Sequence, residues 1–158
     1  MSIELFISTA IFTLITMIYF HIREDFNQGE FLSKYKQRAN WLKDEIGKDD
    51  KYKNDYKACL LIHSFKWSFT IMIPLFVFML IMDSAGVKIA PIPMSIIISS
   101  YLIANTAIHY KVDDLKANKL SINLITDQMV HLLQIFGVWL PIFTIYLSEL
   151  LSKMKWRG

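Results

Sequence analysis

Four apolar stretches run through this chain of 158 residues, at 3–21, 58–82, 89–110 and 124–151. Each has about the length needed to cross the hydrocarbon core of a bilayer, ~20 residues of helix. In lipid the backbone N–H and C=O groups find no water, so such stretches must close their hydrogen bonds internally as α-helices. The expected fold is therefore all-α, a polytopic single membrane domain built as a four-transmembrane-helix bundle. Pro74 falls inside the second stretch and Pro141 inside the fourth, where membrane helices tolerate proline because neighbouring groups re-satisfy the freed carbonyl. Pro91 and Pro93 open the third, and a first helical turn suits a residue without an N–H.

The first stretch has the position and apolarity of a secretory leader. It lacks a basic leading region and a small-residue cleavage pattern, and is expected to stay as an anchor. Orientation follows from lysine and arginine. Residues 22–57 carry nine and residues 111–123 carry three, against Lys88, Lys153, Lys155 and Arg157 on the other side. The positive-inside rule makes the two richer loops cytoplasmic and puts both termini outside, with the basic C-terminal tail arguing mildly the other way. The expected location is a membrane that the chain crosses several times. A net charge of +3, nearly balanced within the long loop, marks no nucleic-acid surface. Cys59 is the sole cysteine, which excludes an intrachain disulfide and fits a small buried residue better than a metal ligand.

The long loop is not featureless. Leu32, Tyr35, Ala39, Leu42 and Ile46 recur at three- and four-residue steps with lysines and Arg38 off that line, which predicts a cytoplasmic amphipathic helix with Gly47 as its stop. With Trp41 beside the stripe it suits the lipid headgroup level, the underside of the bundle or a protein partner docking on 22–57. The run from Lys48 to Lys57 is mixed in charge and reads as a solvated connector.

The four histidines fall one to each apolar stretch, and three stand four residues from an aspartate: His21 with Asp25, His109 with Asp113, Asp127 with His131. Residues four apart share a helix face. With helices alternating in direction, His21, His63, His109 and His131 all meet at the cytoplasmic end. Ionisable groups at membrane depth are costly unless they pair, face the bundle interior or line a polar cavity. Imidazole with carboxylate is a ligand set for zinc, manganese or iron, and seven candidates exceed the three or four protein ligands of one catalytic ion. The expected metal ligands are His21, Asp25, His63, His109, Asp113, Asp127 and His131, around one or two divalent ions. A single such pair would more often only cap or hydrogen-bond at the interface; three pairs plus His63 at one level reverse that balance.

Asn105, Gln134 and Gln28 extend the same faces, as partners that orient ligands or, for Asn105 and Gln134, as interhelical hydrogen bonds. Lys66, three residues after His63, either holds an anionic substrate group or extends to the cytoplasmic interface. The strings HIREDFNQ with a later lysine at Lys36, LLIHS, IHYKVDD and DQMVHLL occur in this order. In that order they resemble the signature blocks of a bacterial and phage integral-membrane family catalogued as domain of unknown function 3307. That family is similar in pattern to membrane proteins described as metal-dependent hydrolases. The resemblance implies functional roles for His21, Asp25, Gln28, His63, His109, Asp113, Asp127, Gln128 and His131. The loop between Gln28 and His63 is longer and more charged than the pattern leads one to expect.

Three classes of function follow. The first is a metal-dependent hydrolase at headgroup depth, with Asp25, Asp113 or Asp127 as general base, Lys66 on the substrate and a lipid or lipid-linked substrate. The second is a metal or proton conduit, against which the outer halves of the stretches carry only hydroxyls. The third is a non-enzymatic interaction or structural protein, in which the cluster fixes bundle geometry and the charged loop carries function. A homo-oligomer is compatible with each.

Overall fold

A computed structural model describes residues 1–26, 30–88 and 94–155. Every regular element among them is helical: α1 (Ile3–Phe26), α2 (Glu30–Tyr35), α3 (Arg38–Trp41), α4 (Glu45–Lys48), α5 (Tyr56–Ser84), α6 (Met94–Ala117) and α7 (Leu124–Lys155). Gln28, Pro91 and Pro93 lie outside the described residues. The long helices pack in a ring, α1 against α5 and α7, α6 against α5 and α7, with α5 and α7 meeting more sparsely across the diagonal.

Three of the described helices, α1, α5 and α7, are long and apolar enough to cross a membrane. The fourth expected span is represented by α6, in which Ser95, Ser99, Ser100, Asn105 and Thr106 dilute the apolar residues and which continues through Lys111 and Asp113 to Ala117. The outward surface is strongly apolar: Phe12, Phe69, Ile103 and Leu133 are all more than half exposed. A water-soluble monomer rarely carries contiguous apolar surface of this kind, so these faces suit lipid contact. Hydroxyls near it are closed within their own helices, Thr9 onto the Leu5 carbonyl at 2.7 Å and Thr16 onto Phe12 at 2.8 Å.

The core runs along the axis from the end near Phe6, Phe78, Met79, Met82, Tyr146 and Leu150 to Met17, Trp67 and Ile135. Ala10 lets α7 approach α1 closely, and Trp139 Nε1 donates to the Ala10 carbonyl at 3.0 Å. At the end of α5, Gly86 adopts a positive φ of 78°, which lets Val87 N return to the Met82 carbonyl at 2.9 Å.

The amphipathic helix expected between the first two spans is not one helix but the three short pieces α2, α3 and α4. Its stripe does not form: Ala39 and Ile46 are exposed. Local side chains compete with the helical ladder. Asn40 Nδ2 donates to the Lys34 carbonyl at 3.2 Å and to Gln37 Oε1 at 3.0 Å, while Gln37 and Asp44 take extended backbone conformations. Gly47 is not a stop but a close approach inside α4: a Cβ there would stand 2.1 Å from the Trp41 carbonyl oxygen. Tyr35 hydroxyl donates to Asp44, and Trp41 Nε1 donates to the Tyr52 carbonyl at 2.9 Å, folding the segment back on itself. The connector at 49–55 is a run of turns.

Candidate metal centre

The polar residues of the bundle concentrate where the C-terminal ends of α1 and α6 meet the N-terminal parts of α5 and α7. His63, His109, Asp113, Asp127 and His131 are all at most 1% exposed. Asp25, Asp127 and His131 offer ligand atoms within 4.8 Å of one another, as do Asp25, His63, His109 and Asp113, so Asp25 belongs to both groups. Ligand atoms held ~2 Å from an ion lie roughly 3 to 4 Å apart, so shifts of up to about an ångström would close either group on an ion.

The α7 group has free ligand atoms. A backbone carbonyl only accepts, so the Gln134 amide NH₂, 3.0 Å from the Asn105 carbonyl, fixes the orientation of that side chain. Its Oε1 then accepts from His131 Nδ1 at 3.1 Å. That bond sets the tautomer and leaves the lone pair of Nε2 directed into the centre, 3.3 Å from Asp127 Oδ1. Both atoms are buried and neither has a hydrogen-bond partner. Two facing acceptors in a buried site repel unless a proton or a metal cation lies between them. The other oxygen, Asp127 Oδ2, takes Lys116 Nζ at 2.5 Å and Gln128 Nε2 at 3.0 Å, and Gln128 also donates to Asp25.

The group on α5 and α6 is differently arranged. Asp113 Oδ2 lies 2.7 Å from His63 Nε2 and 3.7 Å from His109 Nε2, and the two ring nitrogens are 3.1 Å apart. Into this triangle comes Lys36, whose Nζ is 2.7 Å from Asp113 Oδ2 and 2.9 Å from His63 Nε2. An ammonium thus occupies a seat built from a carboxylate and an imidazole. Asp113 Oδ1 faces His131 Nε2 at 3.7 Å and links the two groups. The far ring nitrogens of this group, His63 Nδ1 and His109 Nδ1, are buried without partners, unlike that of His131.

Trp67, fully buried, packs beneath both groups. Its indole stacks on His109 with centroids 4.2 Å apart and lies 5.1 Å from the His131 ring, while His109 and His131 stack at 4.2 Å. Trp67 Nε1 donates to His21 Nδ1 at 3.1 Å. His21 therefore spends one nitrogen on the indole and joins neither ligand group, although its ring is 5.6 Å from that of His131. Lys66 is also turned away: it is paired with Glu24 at 3.0 Å with its side chain 48% exposed. Cys59 is buried and free. Lys36, Lys116 and Trp67 are neighbours of the centre that the histidine pattern does not reveal. For Lys36 the one available signal is the lysine after the HIREDFNQ block; for Lys116 it is the three-residue step from Asp113.

The donor set fits a divalent ion: imidazole nitrogens and carboxylate oxygens converge, two of them are orphaned, and an ammonium already stands in one cation position. Comparison with known proteins yields no matching family profile, no matching curated protein and no matching solved structure.

Proposed function

We propose that this protein is a membrane-embedded, metal-dependent hydrolase of the family resembled by its His/Asp blocks, acting at headgroup depth on a lipid or lipid-linked substrate. The observation that carries the reading is the facing pair Asp127 Oδ1 and His131 Nε2, buried, unpartnered and 3.3 Å apart. His131 and Asp127, with Asp25, would hold an ion in one group; His63, His109 and Asp113 with Asp25 would offer a second position. A divalent ion there would polarise a phosphoryl or carbonyl oxygen and make water a usable nucleophile near neutral pH. Asp25 is the only carboxylate of the three that is not fully buried, which makes it the candidate to accept the proton from that water at the mouth of the site. Gln134 and Asn105 keep His131 in the ligating tautomer, and Trp67 excludes water from below.

Several features support a bilayer substrate. In this reading α6 is the fourth span, turning Ile96, Ile103 and Ile108 toward lipid. A groove of about 370 Å³ between α6 and α7, lined by Tyr101, Ile108, Val130, Leu133 and Gly137, has Asn105 and Gln134 in its wall. An acyl chain lying there would bring its headgroup to the level of His131. The centre faces the cytoplasm of a bacterial inner membrane because residues 30–55, rich in lysine, gather at the same end. A conduit finds less support: among the described residues, the buried core from Ile71 and Val138 to the far end is apolar apart from Thr13 and the Tyr146 hydroxyl.

Turnover tests the reading. Detergent-purified protein supplied with zinc, manganese or iron should hydrolyse phospholipid phosphoesters or carboxyl esters in mixed micelles. A chelator or Asp127→Ala should abolish the activity. Metal-loaded protein inert toward both ester classes would remove the hydrolase and leave a metal-bearing structural protein.

A further inference from the structure

The groups around the centre carry three carboxylates, Asp25, Asp113 and Asp127, against two ammoniums, Lys36 and Lys116. Ligating imidazoles are neutral, so with an ion bound only these five charged groups and the ion itself count. A single divalent ion makes their sum net positive, and a second leaves it strongly so. A low-dielectric pocket holding uncompensated positive charge demands an anionic ligand.

The two lysines are not equivalent. Lys116 touches one oxygen of Asp127, the one turned away from His131, and its side chain is 32% exposed. It is an ion pair at the rim. Lys36 touches two ligand atoms, on Asp113 and His63, and its side chain is 14% exposed. An ion taking Asp113 and His63 needs the volume its ammonium fills.

The backbone around Lys36 is held in place. Arg38 N donates to Asn118 Oδ1 at 2.7 Å, and Asn118 Nδ2 donates to the Lys36 carbonyl at 3.3 Å and to Asp114 Oδ1 at 3.1 Å. Displacement from Asp113 therefore moves only the four-carbon stem and leaves the ammonium at the mouth of the centre. Ammonium is a compact point charge with rotatable donors, suited to a phosphoryl oxygen.

Resting on the metal-centre reading above, we propose that Lys36 is the substrate-binding residue of this centre, holding a phosphoryl oxygen of an anionic substrate once a divalent ion has replaced it on Asp113. Lys66, which the sequence offers for the same task, is engaged with Glu24 outside the site.

The test is titration of metal-loaded protein with inorganic phosphate and, separately, with short-chain phosphatidic acid in micelles, alongside metal content of the same samples. Lys36→Met should keep the ion and lose at least about tenfold in affinity for whichever ligand the wild type binds, whereas Lys66→Met should keep it. The ligand bound more tightly by the wild type identifies the source, free phosphate or lipid headgroup; both are phosphoryl anions and either supports the assignment. Unchanged affinity in Lys36→Met with the ion in place, or loss in Lys66→Met instead, overturns it. Failure of the wild type to take up any ion overturns the metal-centre reading itself, and this assignment with it.

A second measurement needs no variant. Reductive methylation read by mass spectrometry should find Lys36 protected in metal-free protein, reactive after metal loading, and protected again by phosphate. Equal labelling of Lys36 with and without phosphate in the metal-loaded protein contradicts the proposal.

Discussion

The two halves of the centre are made of the same residue types and are prepared differently. On the α7 side, His131 is fixed by Gln134, and its free nitrogen faces a free oxygen of Asp127. On the α5–α6 side, Asp113 and His63 are already engaged by the Lys36 ammonium, while His63 and His109 lack partners on their far nitrogens. One half is held open by a hydrogen bond behind its ligand; the other is filled by a cation in front of it. Metal affinity therefore depends on what stands behind and before the ligands as much as on the ligands themselves.

The largest effect that would sharpen this contrast is expected from Asp113→Ala. It leaves the Lys36 ammonium beside two histidines without its counter-charge, and breaking a buried pair in this way costs about 3–5 kcal/mol. Asp127→Ala should cost less, because Lys116 is partly exposed and is free to turn to water. Unfolding in detergent followed by circular dichroism compares the two, and equal losses would break the distinction.

An intermediate effect is expected from Gln134→Leu, which fits the buried position but removes the acceptor for His131 Nδ1. Loss of such a partner lowers metal affinity by roughly 10–100-fold. Competition with a fluorescent chelator reads this directly, and an unchanged affinity would show that His131 needs no orienting group.

The smallest effect is expected from Lys66→Met. Its pair with Glu24 is substantially exposed, so stability should change by less than about 1 kcal/mol. Metal uptake should not change, and a reduced uptake would return Lys66 to the centre.

How much of this was legible in the sequence differs by residue. Helix periodicity alone puts His109 with Asp113 and Asp127 with His131, and the structure holds them at 3.7 Å and 3.3 Å. The same spacing at His21 and Asp25 does not make a shared ligand pair, since His21 Nδ1 accepts from Trp67 Nε1 while Gln128 donates to Asp25. That outcome depends on contacts 46 and 103 residues distant, which no local pattern carries. The all-helical architecture follows from apolar runs, because lipid leaves the backbone no alternative. The 22–57 segment has no such constraint. There an apolar stripe was outweighed by Asn40, Gln37 and Asp44, whose conformations and side-chain bonds break the helix, and Lys36 was thereby turned into the centre rather than along a helix face.

X-ray absorption spectroscopy of the purified protein, at the edge of the ion it retains, addresses the metal centre most directly. The expected spectrum shows imidazole nitrogen and carboxylate oxygen at about 2.0–2.2 Å, with the imidazole signal reduced in His131→Ala. Protein that takes up no zinc, manganese or iron, or that yields a spectrum without imidazole, would contradict it.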